Sequence, residues 1–285
     1  MNLLLLSVGR RTKIVEYFQK EFSGTGKIIA TDCDEFAPAI YFADKYYIVP
    51  KITEEGYIDT ILNICKKEDI NGVISLIDPE LSLISENEEK FTRIGVKLFI
   101  SEYKTCELCF DKYAMFEFLS ENGFNCAKTY TSPDRFLDDL GNGEISFPVF
   151  VKPRCGSASL GINKVDNIKH LKLLFELSDD LIIQEFLNGQ EYGADCFIDT
   201  ISGELVSVFI KKKIRMRSGE TDKAISFKNE KLFEIISDFV KRLNARGTID
   251  IDIFEVNGKW YISEVNPRFG GGYPQIGRAS CRERV

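Results

Sequence analysis

Residues 250–268 read Asp250-Ile251-Asp252-Ile253-Phe254-Glu255-Val256-Asn257-Gly258-Lys259-Trp260-Tyr261-Ile262-Ser263-Glu264-Val265-Asn266-Pro267-Arg268. Apolar and polar residues alternate on either side of Asn257-Gly258, the dipeptide that best suits a two-residue hairpin turn. The pattern predicts a hairpin with arms over 248–255 and 259–264. Period-two geometry puts Asp250 and Asp252 on one face, Glu264 and Asn266 likewise share a face, and pairing about the turn brings Asp252 near Glu264 and Asn266. Acids gathered this closely, flanked by apolar residues, would repel one another if buried, and a hard cation is the natural counter-ion. A donor set of oxygen without His or Cys suits Mg²⁺ or Mn²⁺, bridged to phosphates.

Two earlier stretches carry related chemistry. Pro148-Val149-Phe150-Val151-Lys152-Pro153 runs into Arg154-Cys155-Gly156-Ser157-Ala158-Ser159-Leu160-Gly161. A lysine ending a buried strand before a loop of small residues can hold a polyphosphate, the ammonium pairing with oxygens and the loop N–H groups approaching closely. No Gly-Lys-Ser/Thr follows and no helix begins there, so this is not a Walker A loop, and alone it reads equally as a turn. Leu181-Ile182-Ile183-Gln184-Glu185-Phe186-Leu187 leads to Glu191. It could wall a purine and supply an acid to ribose hydroxyls, although Glu185 and Glu191 taken singly are ordinary strand-end acids.

The N-terminal hundred residues alternate strands (3–7, 27–31, 46–49, 73–77, 96–100) with helices (11–22, 56–67, 80–91). This implies a doubly wound parallel sheet with ligand-facing residues beyond the strand carboxyl ends. Those residues include Gly9, Arg10, Arg11, Asp32, Asp34, Asp78 and Glu80, each also a plausible turn or cap residue. The single glycine in Ser7-Val8-Gly9-Arg10-Arg11 lacks the G-x-G-x-x-G spacing, so a dinucleotide site is rejected. From residue 111 onward the pattern becomes α+β: helices at 112–121, 133–140 and 231–243, and strands at 127–131, 149–152, 161–165, 181–185, 191–199 and 205–212 ahead of the hairpin.

Composition narrows the chemistry. With 37 Lys and Arg against 44 Asp and Glu, the 285 residues carry a net charge of −7, which argues against a general nucleic-acid or anionic-membrane binder. One histidine, His170, rules out multi-histidine metal centres. It falls in an expected surface helix and receives no role. The eight cysteines are scattered, and Cys106-x-x-Cys109 lacks a second ligand pair, so they read as reduced structural thiols. The apolar run Leu3-Leu4-Leu5-Leu6 is too short to span a membrane, and its basic residues follow it, unlike a signal peptide; a cytoplasmic location is expected.

Lys112, Val151-Lys152-Pro153 with its loop, Gln184 through Glu191, and Asp252 with Glu264-Val265-Asn266-Pro267-Arg268 resemble the ordered motifs of the ATP-grasp superfamily. The likeness is strongest to proteins similar to the carbamoyl-phosphate synthase large subunit, and it runs to about Tyr273. It implies a pre-ATP-grasp α/β domain over 1–105 and an ATP-grasp module over 106–276. The module would have a small lobe at about 125–188 and a large lobe made of about 189–276 plus the helix 111–122. It implies that Lys112 and Lys152 contact ATP phosphates beneath a loop formed by Gly156, Ser157, Ala158 and Ser159. Gln184, Glu185, Phe186 and Leu187 would border adenine, and Glu191 would bind ribose. Asp252, Glu264 and Asn266 would hold Mg²⁺, and Arg268, with Lys152, would act on the transferring phosphoryl group. Arg10, Asp78, Glu80, Arg215 and Arg217 would face small-molecule carboxylate and amine substrates. The implied activity is an ATP-dependent carboxylate–amine or carboxylate–thiol ligase. A small-molecule kinase or a non-catalytic ATP-binding module remains the alternative, and a homo-oligomer is compatible with any of them. Gln184 stands where many relatives carry an acid. The stretch 277–285 has no apolar period, and is expected to be a non-native tail on a C-terminally truncated module.

Overall fold

The computed structural model describes residues 1–156, 161–217 and 220–273. The expected tail, and Ser157, Ala158 and Ser159 of the small-residue loop, lie outside the described residues.

The N-terminal unit comprises β1 (Asn2–Leu6), α1 (Thr12–Phe22), β2 (Lys27–Asp32), a 3-10 turn (Pro38–Phe42), β3 (Lys45–Ile48), α2 (Tyr57–Lys67), β4 (Ile70–Ser75), α3 (Asp78–Glu86), α4 (Glu88–Thr92) and β5 (Lys97–Leu98). Its sheet is parallel throughout, in the order β3-β2-β1-β4-β5. The continuous leucine run of β1 follows from this central place, because both faces of the strand are covered. Leu4 and Leu6 pack with Ile61, Ile64 and Ile84 on one side, whereas Leu3 and Leu5 pack with Ile14 and Val15 on the other. Strand order reverses between β1 and β4, which opens a crevice at their carboxyl ends. Ser7 and Gly9 there take positive φ, 49° and 51°. The Asp32 carboxylate fixes this loop, accepting hydrogen bonds from Gly9 N at 2.8 Å and Asp34 N at 3.0 Å.

Two helices, α5 (Tyr103–Phe110) and α6 (Lys112–Glu121), lead into a small antiparallel sheet; α5 had no counterpart in the sequence reading. The sheet is built from β6 (Thr129–Tyr130), β7 (Val149–Pro153), β8 (Asn163–Val165) and β9 (Leu181–Glu185), ordered β6-β9-β7-β8, with α7 (Pro133–Gly141) and α8 (Ile168–Leu177) packed on it.

The last sheet runs β12-β11-β10-β13-β14, all antiparallel, from β10 (Gln190–Ile198), β11 (Leu205–Arg217), β12 (Glu220–Ser226), β13 (Gly247–Val256) and β14 (Lys259–Asn266). Helix α9 (Glu230–Leu243) presents Leu232, Ile236, Phe239, Val240 and Leu243 at helical spacing to the apolar face of this sheet. That face carries Tyr192, Ala194, Ile249, Ile251, Ile253, Ile262 and Val265. The opposite face is polar, and it carries most of the candidate site. Strand β11 extends beyond the expected end at 212, pairing with the unforeseen β12 in an outlying ribbon. Cys106 and Cys109 are free thiols; burial pushes Cys106 up to about 12 and Cys109 well above its usual value, so both stay protonated.

Candidate functional site

The hairpin pairs as its alternation requires. Asp252 lies opposite Glu264, Asp250 opposite Asn266, and the turn residues Asn257 and Gly258 both have positive φ. Because directly opposed residues share a face, these four polar side chains line the polar side of the sheet. Next to them β10 contributes Gly193 opposite Asp252 and Asp195 opposite Asp250. From the other side of β10, Lys211 lies opposite Gly193.

The face is knitted by two buried lysines. Lys213 Nζ donates to Glu191 Oε1 at 2.6 Å and to Asp252 Oδ1 at 2.5 Å, while Lys211 Nζ donates to Asp195 Oδ2 at 2.5 Å. Burial opposes the charge on Lys213, but Asp252 and Glu191 outweigh it and hold the ammonium above the ordinary lysine range. Burial raises Glu191 despite that partner. Asp250 is pushed up to about 7 by burial and then by Asp252 and Asp195, against the opposing pull of Lys211 and Arg268. Gly193 makes the crossing of the lysines feasible: a Cβ there would sit 2.9 Å from Lys211 Cε and 3.2 Å from Lys213 Cε. Sequence reasoning missed Lys211, Lys213 and Asp195. Their signal was present in the period-two match between Glu191-x-Gly193-x-Asp195 and Lys211-x-Lys213, which becomes informative once the β10–β11 register is known.

Lys152 enters from β7. It is only 7% exposed, and among the described residues its side chain makes no hydrogen bond or ion pair. Burial lowers its pKa, Lys112 adds to this, and the fields of Glu264 and Asp252 oppose it. Lys112 opens α6, where Asp111 caps the helix by accepting from Tyr113 N and Ala114 N. Arg154 Nη2 holds the same carboxylate at 2.6 Å. The Lys112 ammonium donates to Gly156 O at 2.7 Å, at the start of the small-residue loop. Two adjoining small cavities bring these parts together: Lys112, Gln184 and Glu264 line one, and Asp78, Lys112, Gly156, Glu264 and Asn266 the other.

The expected purine wall is folded into the small sheet. Gln184 is buried and donates to Thr129 Oγ1 at 3.1 Å; Glu185 Oε2 accepts from Lys128 N at 3.0 Å. Phe186 packs on Phe150 with ring centroids 5.4 Å apart, and Leu187 is buried.

Arg268 ties this face to the N-terminal crevice. Its Nη2 lies 3.0 Å from Asp78 Oδ2, on the first residue of α3, and its Nη1 lies 3.6 Å from Asp250 Oδ2. Burial works against the guanidinium charge, but Asp78 and Asp250 raise its pKa. Glu80, expected on the same rim, instead points into its own unit. It is fully buried, accepts from Ser7, Tyr57 and Ser75, and has its pKa raised by burial, so it braces the crevice from within. Arg10 is exposed beside the crevice. Arg215 and Arg217 are exposed on the β11–β12 ribbon, where Arg215 pairs with Asp222 at 3.4 Å, and neither bonds to the clustered residues.

Asp252, Glu264 and Asn266 form an oxygen-only set on one face, of the kind a hard divalent cation takes. Among the described residues no three His, Cys, Asp or Glu side chains form a metal-sized cluster, and Lys213 donates to Asp252 within the set. A cleft of about 500 Å³ lies elsewhere, between α4, β5 and the segment leading into β13. It shares no residue with this constellation, and the chemistry follows the charged groups rather than the volume. Among the described residues, no helix is long and apolar enough to cross a membrane.

Comparison with known proteins bears on the fold and the family. The PylC-like, N-terminal domain matches residues 3–99, and the ATP-grasp domain matches residues 109–272. The arginine-specific carbamoyl phosphate synthase large chain of Bacillus subtilis (strain 168) is 22% identical over 252 residues, 83% of this chain and 23% of the relative. The chain thus spans about a quarter of that relative's length. Among solved structures, N5-carboxyaminoimidazole ribonucleotide synthetase from Thermotoga maritima superposes with a TM-score of 0.69 at 20% identity, covering 97% of this chain and 71% of that one. The biotin carboxylase domain of the Hydrogenobacter thermophilus 2-oxoglutarate carboxylase, solved with MgADP and bicarbonate, gives a TM-score of 0.70 at 16% identity, covering 95% and 65%. These likenesses show the shared fold. With the ATP-grasp match spanning more than half of its residues, the chain belongs to the ATP-grasp family.

Proposed function

We propose that this protein uses Mg·ATP to convert a substrate carboxylate into an acyl phosphate, which an amine or similar nucleophile then captures. The observation that carries this reading is the buried Lys152, whose side chain has no hydrogen-bond or ion-pair partner among the described residues and feels the fields of Glu264 and Asp252, two members of the oxygen-only set completed by Asn266. An unpaired buried cation is costly unless an anion arrives to meet it, and a phosphate chain is the anion that acids across the cleft could share through a metal. The MgADP complex of the Hydrogenobacter thermophilus domain supports the same nucleotide and cation.

In this reading the ATP-grasp module occupies 106–276 and follows an α/β unit over 1–105. Lys152 and Lys112 hold phosphate oxygens, with Ser157, Ala158 and Ser159 completing the loop from Gly156. Gln184, Glu185, Phe186 and Leu187 border the base, and Glu191 takes the ribose. Asp252, Glu264 and Asn266 would hold Mg²⁺, which when bound supplies charge neutralisation at the phosphate oxygens. A carboxylate oxygen attacks the γ-phosphorus as its bond to the β,γ-bridging oxygen breaks, and ADP leaves. The nucleophile then attacks the acyl carbon, its bond to the phosphate oxygen breaks, and phosphate departs while the nucleophile's proton passes to solvent. Arg268, held by Asp78 and Asp250, orients its guanidinium toward the transferring group. The acceleration rests on positioning and on fixed positive charge rather than on a titrating base. The β1–β4 crevice, with Asp78 and Arg10, is the proposed carboxylate entry.

The test is incubation of the full-length protein with Mg·ATP and a broad panel of carboxylates and amino acids, in the presence of hydroxylamine. Acceptor-stimulated release of ADP and phosphate together with a hydroxamate is expected, and Glu264→Gln should abolish turnover. ADP release without hydroxamate would instead indicate a kinase. No acceptor-stimulated release across the panel would refute the reading.

A further inference from the structure

The cleft of about 500 Å³ lies apart from the nucleotide residues, on the seam between the N-terminal unit and the large sheet. Glu88, Lys97, Ser101, Glu102, Thr200 and Arg246 line it. These come from α4, β5, the segment before α5, the turn after β10, and the residue before β13. Arg246 is set rigidly within it. Its backbone N donates to Ser101 Oγ at 2.9 Å, and that hydroxyl donates back to Arg246 O at 3.0 Å, with Ser101 buried. Nη1 donates to Ala245 O at 2.8 Å. The guanidinium plane lies against Gly203, which has φ +76° and where a Cβ would fall 2.8 Å from Cζ and Nη2. No carboxylate pairs with Arg246 among the described residues. Its remaining N–H donors therefore form an oriented fork without an anion.

We propose that this cleft is a second ligand site. Its occupant would be a small molecule ending in a carboxylate or phosphate, which Arg246 grips, and carrying an amine or hydroxyl group that Glu88 or Glu102 accepts. The planar fork of arginine suits either oxyanion in a two-bond grip. Lys97, whose ammonium lies 5.5 Å from the Phe99 ring centroid, adds positive charge on the same wall. Its field also reaches Asp199, which makes Arg246 the principal anchor. The two glutamates disfavour a polyanion such as a nucleoside triphosphate, so the site selects a different ligand from the one the main site takes. Because Ser101 and Arg246 lie 145 positions apart and join the two units, an occupant would brace that seam.

Calorimetric titration with L-aspartate and, separately, with glycerol 3-phosphate tests this and tells the carboxylate source from the phosphate source. Each probe is run with and without saturating Mg·ADP. At least one probe should bind at millimolar concentration or below, equally well in both conditions. Arg246→Gln should weaken it by about tenfold or more and Lys97→Gln by a few-fold. The proposal is overturned if neither probe binds, if Mg·ADP displaces the probe, or if both variants bind as the parent does. Should Arg246→Gln fail to fold, Lys97→Gln decides alone, and parental affinity in that variant overturns the site.

Discussion

Lys213 is the residue whose replacement would be felt most sharply. It is 5% exposed and neutralises Glu191 and Asp252, each 24% exposed, so removing the ammonium leaves two carboxylates confronting each other. Lys213→Met should cost about 3 kcal/mol, the low end for breaking a buried ion pair because the acids retain some water. Divalent cation should then substitute for the missing charge. Millimolar Mg²⁺ is expected to raise the melting temperature of Lys213→Met more than that of the parent, and equal shifts would mean that no cation enters between the acids. The acids themselves were legible in the sequence because their alternation within apolar runs is local. Lys213 was not, since its meaning depends on which residue of β10 it faces, and register is a tertiary fact.

At the scale of the element, the β13–β14 hairpin was readable nearly to its ends because the turn chemistry and the alternation agree, although β14 runs on to Asn266. The β11–β12 ribbon was not. Glu220–Ser226 offers little apolar periodicity, and the ribbon stands largely on its backbone ladder. Helix α5 was similarly hidden: its buried residues, Thr105 and Cys106, do not make an apolar stripe. Within β10, Gly193 is the position where element and site meet. Gly193→Ala would press its methyl on the stems of Lys211 and Lys213, both flexible enough to yield partly, so a loss of about 1 kcal/mol is expected in denaturant unfolding. A change in nucleotide affinity should accompany it, because the displaced ammonium groups hold Glu191, Asp252 and Asp195.

For the whole molecule, the joint between units runs through Arg268 and Asp78, 190 positions apart, which no local pattern could have paired. Asp78 Oδ1 is buried without a partner, so among the described residues its carboxylate relies on the guanidinium for an ion pair. Arg268→Gln strands both Asp78 and Asp250 and should destabilise the chain by about 3 kcal/mol, whereas Asp78→Asn, which leaves Arg268 to Asp250, should cost less. Chemical denaturation of the two variants would check the ordering, and a reversed order would show that Asp250 does not rely on Arg268. The sequence suggested that rim residues of the first unit and the end of the hairpin belong together, and the structure joins them through Asp78 and Arg268. It could not foresee that Glu80 would turn inward, because burial of an acid beside two serines and a tyrosine is set by the packed crevice.

The large sheet is apolar on the side that α9 covers and charged on the other, which has a consequence for ionic strength. Exposed pairs such as Arg242–Asp238 on α9 sit in water, where mobile salt screens them within about 10 Å at 0.1 M. Lys211, Lys213 and their acids are backed by hydrocarbon that no counter-ion can enter, so their field is directed into the cleft and survives in salt that silences the surface.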